Sequence, residues 1–158
     1  MSATTVRTDL LTGLTEEDGD RVLALGRRIT LASGEELFHL GDQAECIYVI
    51  AQGRLRLTLP MQVRGQNQDV LVEERVPGQT VGWSALIPPY RFTLTAAAPL
   101  ETEVIALPRE ALHTHFAAHP EVGYPVSLNL ASVIGERLQL FQAMWVREVQ
   151  RMVELRNA

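Results

Sequence analysis

Apolar and polar positions alternate differently in the two ends of this chain. Between Leu14 and Gly26 the apolar residues Val22, Leu23 and Leu25 follow Thr15-Glu16-Glu17-Asp18. A threonine before three acids is a helix start, because its hydroxyl caps free N–H groups and the acids meet the positive end of the helix dipole. The pattern predicts a short helix over 15–26. From Arg28 to Leu107 short β-branched runs are separated by glycines at 34, 41, 53, 65, 78 and 82. Arg54-Leu55-Arg56-Leu57-Thr58-Leu59 alternates strictly, which predicts a strand with leucines inward and arginines outward. Further strands are expected at 29–31, 36–40, 46–51, 69–76, 92–97 and 102–107. Strands spaced this way by glycine turns predict a β-sandwich, roll or barrel.

Beyond Leu107 the period becomes helical. Pro108-Arg109-Glu110 opens one helix, which ends near His119-Pro120. A second runs from about Pro125 to Leu155, with Ile134, Leu138, Phe141, Trp145, Met152 and Leu155 at three- and four-residue steps. Only Glu148 interrupts the seam. Such a seam is what a two-stranded coiled coil uses. The first half of the helix is expected to pack on the β-domain and residues 130–155 to form a homodimer.

Composition narrows the function. All 14 basic residues are arginines; against 19 acids the formal charge is -5. An acidic chain is a poor match for phosphate backbones, so direct DNA binding is not expected. Cys46 is the only cysteine, which excludes an intrachain disulfide and a four-cysteine metal site. Met1–Leu10 reads as a frayed polar start without a signal sequence, and no apolar run is long enough to span a membrane. The expected location is the cytoplasm. His113, His115 and His119 lie on a helix, and solvent-facing roles are expected for them. No Ser/His/Asp set, paired carboxylate or phosphate loop stands out, so the expectation is a non-enzymatic protein.

Several stretches resemble the cyclic-nucleotide-binding domains, in particular the sensor domains of catabolite-activator/FNR-type regulators. They are Ser33-Gly34-Glu35-Glu36-Leu37-Phe38-His39-Leu40-Gly41-Asp42, the hairpin Cys46–Leu55, the approach Val76–Gly82, and Gly135-Glu136-Arg137-Leu138 on the long helix. The resemblance runs from about residue 12 to 155. It implies a mainly β fold with flanking helices: a double-stranded, jelly-roll-like β-roll with N-terminal and hinge helices over 12–124, and a long dimerisation helix over 125–158. Regulators of that type continue into a helix-turn-helix. The sequence stops at Ala158, so the expectation is a chain that does not read DNA itself.

The resemblance also implies a ligand site. In the family a short helix after a glycine meets the cyclic phosphate, an arginine adds a charged contact, and a glutamate accepts the ribose hydroxyl. Here the matching residues are Gly82, Trp83, Ser84, Ala85, Leu86, Arg91 and Thr93, with Gln142 near a purine edge. Trp83 stands where the glutamate is expected and Phe92 where a hydroxyl is. Losing a charged acceptor for a buried hydroxyl costs roughly 1–3 kcal/mol, about one to two decades of affinity. An alternative register, with Thr95-Ala96 as the next strand, puts Arg91 past the cassette. Three outcomes stand side by side: a cyclic nucleotide, another small anionic ligand, or a pocket plugged by Trp83. The expected function is a ligand-sensing regulatory module with Arg91 as anion clamp. The alternatives are a structural or protein-interaction module with a vestigial pocket, or a regulator that acts through a DNA-binding partner.

Overall fold

The computed structural model describes residues 7–158. The polar start expected over Met1–Leu10 therefore lies outside the described residues as far as residue 6. From Thr8 onward the chain is docked rather than frayed. Asp9–Leu11 forms one 3-10 turn with Leu10 fully buried. The Asp9 N–H donates to the Gly78 carbonyl at 2.9 Å, and Asn129 Nδ2 donates to the carbonyls of Leu10 and Thr12 at 2.8 and 2.7 Å.

Helix α1 spans Glu16–Leu23, and the Thr15 hydroxyl accepts the Asp18 N–H at 3.2 Å as its cap. It ends earlier than the expected stop at Gly26. That glycine serves a different need: a Cβ there would lie 2.7 Å from the Ala106 carbonyl oxygen. Eight strands follow, β1 (Arg27–Leu31), β2 (Glu36–Phe38), β3 (Cys46–Gln52), β4 (Leu55–Val63), β5 (Gln66–Arg75), β6 (Thr80–Val81), β7 (Thr95–Ala97) and β8 (Thr102–Pro108). They pair antiparallel in two four-stranded sheets, ordered β1-β8-β3-β6 and β2-β7-β4-β5. One apolar core unites them, with Ile47, Val49 and Val104 from one sheet and Leu55, Leu57 and Ala96 from the other. The alternation in β4 places Leu55 and Leu57 inward and Arg56 outward. The expected strand at 92–97 shrinks to β7, because Phe92 and Leu94 enter the core from irregular backbone.

Helix α2 spans Arg109–Ala118 and α3 spans Pro120–Arg156. The long helix thus begins before Pro125, which sits inside it and leaves the Glu121 carbonyl without its usual donor. At 37 residues the helix is about 55 Å long. Its first half buries Val122, Val126, Leu130, Val133 and Arg137. Residues 138–156 are exposed apart from the half-exposed Phe141 and Val149. No helix among the described residues is long and apolar enough to cross a membrane.

Two glycine turns with the same backbone twist differ in surroundings. Gly53 has φ +83, and a Cβ there would lie 2.7 Å from the Glu101 carbonyl oxygen; Gly65 has φ +78 and open space. Gly53→Ala is expected to cost about 2–4 kcal/mol, and Gly65→Ala about 1 kcal/mol, in urea unfolding.

Candidate ligand site

The cassette begins where β6 ends. Gly82 adopts φ 80, a conformation that favours glycine, and opens a 3-10 turn over Trp83–Leu86. Its missing side chain matters, because a Cβ would meet Phe92 at 3.2 Å and Tyr48 at 3.3 Å. Phe92 stacks on Phe38 with ring centroids 3.7 Å apart, and Phe38 lies 5.9 Å from Tyr48. The turn therefore rests on an aromatic stack, and Phe92 is a core residue. Burial pushes the Tyr48 phenol up to about 12.

Arg109, the first residue of α2, holds the other end of the turn. Its Nη1 donates to the carbonyls of Ala44 at 2.7 Å and Ala85 at 2.9 Å. Its guanidinium carbon sits 3.9 Å from the Tyr90 ring centroid, a cation–π contact. One side chain thus joins the cassette to the helix that leads into α3.

Gly82, Trp83, Ser84 and Thr93 face a small cavity, together with Phe38, Leu57 and Arg137. Its volume is about 10 Å³, at the threshold for a single water and far below a ligand-sized pocket. Trp83 and Arg137 both line it.

Arg137 belongs to an ionic network buried between α3 and β5. Its Nη2 lies 3.0 Å from Glu73 Oε2, and Arg75 Nη2 lies 2.8 Å from Glu73 Oε1. Arg137 is 7% exposed and Arg75 4%. The sequence puts an acid here by a β-bulge: Leu57 pairs with Glu73 but Thr58 with Leu71. The extra residue, Val72, shifts the alternation so that Glu73 and Arg75 both turn inward. Two guanidinium groups share one carboxylate, leaving a net charge of +1 among the three. The Nε and Nη2 of Arg137, the Nε of Arg75 and the Oε2 of Glu73 are buried without a hydrogen-bond partner. The Arg137–Glu73 contact is thus a close approach of charges without an aligned hydrogen bond. Burial pulls the Arg137 guanidinium below its ordinary pKa; Glu73 opposes that shift and Arg75 adds to it.

The eight residues picked from the sequence fall in different places. Gly82, Trp83, Ser84 and Thr93 come together at the cavity. Ala85 is wholly buried in the core. Leu86 lines a separate apolar groove of about 340 Å³ with Phe116, Leu130 and Ile134. Arg91, expected as the anion clamp, lies away from the cavity. It is exposed, and its Nη1 donates to the Gly41 carbonyl at 3.0 Å. β7 begins at Thr95, so Arg91 lies before the strand on an outer loop. Nor does Arg91 pair with Glu73 or Glu74, because Arg75 and Arg137 take the first and Arg56 the second, at 2.9 Å. Gln142, expected near a purine edge, also lies apart from the cavity. It is exposed, five residues beyond Arg137 and so about 140° around the helix.

Arg137 was overlooked as a site residue although its signal was readable. Val126, Leu130 and Val133 form the buried stripe of α3, and Arg137 falls on the next position of that stripe. A charge on an apolar stripe calls for a partner or a ligand.

The architecture defines a class: a β-roll closed by a long C-terminal helix, with a glycine-led turn facing a buried arginine. The comparisons agree. The family model for the cyclic nucleotide-binding domain matches residues 28–119. The chain belongs to the cyclic nucleotide-binding domain family. It is 28% identical over 130 residues to the cyclic AMP receptor protein of Thermus thermophilus, covering 82% of this chain and 57% of that protein. The solved catabolite activator protein of Thermus thermophilus superposes with a TM-score of 0.70 at 27% identity, over 95% of this chain and 63% of that one. The N-terminal domain of a transcriptional regulator from Streptomyces coelicolor shares the fold, with a TM-score of 0.71 at 24% identity over 88% of this chain and 95% of that one. A lysophospholipase of Neurospora crassa is 28% identical over 113 residues, which are 72% of this chain but 7% of that enzyme. The chain thus spans only part of the length of these curated relatives.

Arg109→Ala removes two charged donor contacts and the Tyr90 stacking. Urea unfolding is expected to show a loss of about 2–3 kcal/mol, against less than about 0.5 kcal/mol for the exposed Arg91→Ala.

Proposed function

We infer that this chain is a non-enzymatic, ligand-sensing regulatory module. Its ligand is a cyclic nucleotide or another small anion, taken between the Gly82–Leu86 turn and α3. One observation carries the reading: Arg137 is nearly buried, carries N–H donors without acceptors, and lines the same cavity as Gly82 and Ser84. Excess buried positive charge, here two guanidinium groups on one carboxylate, is costly, and an anion in that space would supply further acceptors. In this proposal Gly82, Trp83, Ser84, Thr93 and Arg137 contact the ligand, while Ala85 and Leu86 hold the turn. The lysophospholipase relatives share only this domain with the chain, so their hydrolytic activity is not carried over. A cytoplasmic setting belongs to the same reading, as does the absence of direct DNA contact by these residues, which the formal charge of -5 supports.

Calorimetry with cAMP and cGMP tests it. Binding is expected for the wild type, a loss of about tenfold to a hundredfold for Arg137→Gln, and no change for Arg91→Ala. A second reading, a vestigial pocket, draws on the volume of about 10 Å³ beside Trp83. Absence of binding by the wild type and by the enlarged pocket of Trp83→Ala would favour it.

We further propose a homodimer through residues 130–155. Leu138 is 57% exposed, Trp145 68%, Met152 53% and Leu155 68%, a row of large apolar side chains at heptad spacing on unburied helix. Sedimentation is expected to give a dimer for the wild type and a monomer for Trp145→Glu. A monomeric wild type would point instead to a different partner chain.

A further inference from the structure

Glu73 is the acid of the buried network, and no part of the cassette contains it. Its carboxylate is held on one oxygen by Arg75 at 2.8 Å and approached on the other by Arg137 at 3.0 Å. The first contact joins neighbours on β5. The second crosses from β5 to α3, at the last buried residue of that helix. It is also the longer of the two, and Arg137 Nη2 and Glu73 Oε2 make no aligned hydrogen bond.

We propose that Glu73 is a built-in competitor of the ligand: a singly charged anion enters by taking Arg137 from Glu73, and this exchange loosens α3 from β5. The inference rests on the ligand-sensing reading above. Charge balance supports it. In the closed state one carboxylate faces two guanidinium groups, a net +1 under cover. After the exchange Glu73 and Arg75 remain as one neutral pair, and Arg137 with a monoanion forms a second. A dianion would leave an extra negative charge in the same enclosed space, where it is costly. The site therefore favours a cyclic phosphodiester, which carries one charge, over a phosphate monoester, which carries about 1.5 to 2 at neutral pH.

The geometry links the exchange to the helix. Residues 138–156 are exposed apart from the half-exposed Phe141 and Val149, so Arg137 is the last buried residue by which α3 is held. Releasing it shortens the anchored part of the helix to Ile134 and the residues before it. The cavity of about 10 Å³ cannot accept a ligand until such a movement makes room.

The test uses the full chain, with cAMP as the monoanion and 5′-AMP as the more highly charged probe. Wild type is expected to prefer cAMP. Glu73→Gln leaves two uncompensated arginines, so its affinity for cAMP is expected to rise about tenfold or more and its preference to swing toward 5′-AMP. Binding seen only in Glu73→Gln also supports the proposal. If Glu73→Gln binds with unchanged affinity and unchanged cAMP-to-AMP preference, Glu73 is no competitor, although the ligand site stands. If neither protein binds either probe, the ligand-sensing reading and the competitor fall together. Should Glu73→Gln fail to fold, hydrogen exchange on the wild type decides. Amides at 134–138 are expected to exchange faster when cAMP is bound; slower or equal exchange would overturn the proposal.

Discussion

A guanidinium placed between a β-sheet and a helix sets terms for the elements around it. The arginine of α3 at position 137 loses most of its hydration, and an unpaired buried charge is among the costliest features a fold can hold. A carboxylate must therefore come within reach. β5 provides it through a bulge that turns Glu73 inward, and Arg75 steadies that carboxylate from the other side. The strand's irregularity, the buried acid and the register of α3 on the roll answer one electrostatic demand. Such a network contributes little to net stability against an apolar replacement. Its value lies in fixing one position of the helix on the roll.

The cassette is held by different physics. Gly82 lets the turn press against a stack of Phe38, Phe92 and Tyr48, while Arg109 grips its far end through the Ala85 carbonyl. Because Arg109 also begins α2, one side chain joins the turn to the hinge helix, its Nη1 donating to both the Ala44 and the Ala85 carbonyls. The N-terminal turn at Asp9–Leu11 makes a further link, with Asn129 binding the Leu10 and Thr12 carbonyls. The base of α3 is thus tied to three parts of the domain, and its distal half to none.

That asymmetry shapes how the module signals in the proposed function. A helix of about 55 Å exceeds what a roll of this size covers, and the apolar stripe beyond Arg137 is left for another surface. Small shifts at the base are enlarged along a stiff rod, so a local exchange of ion partners becomes a change in how two helices meet.

Much of the fold was legible in the residues. Glycine turns, period-2 alternation in Arg54–Leu59 and the threonine cap at Thr15 are local signals, set by backbone sterics and by which side chains avoid water. Their order implied a roll followed by helices, and the heptad row on α3 was equally plain. The site was legible only in part. Gly82 and Ser84 lie in a contiguous turn, so the sequence alone placed them together. The choice between Arg91 and Arg137 required the fold. Both are arginines near suggestive motifs, yet burial decides which one needs an anion. Burial depends on strands and a helix that meet from opposite ends of the chain. Glu73 was less accessible still, because its inward turn comes from a one-residue slip between β4 and β5. Local pattern determined which elements form; the partner of each charge was decided by their packing, since electrostatic need arises only once water has been excluded.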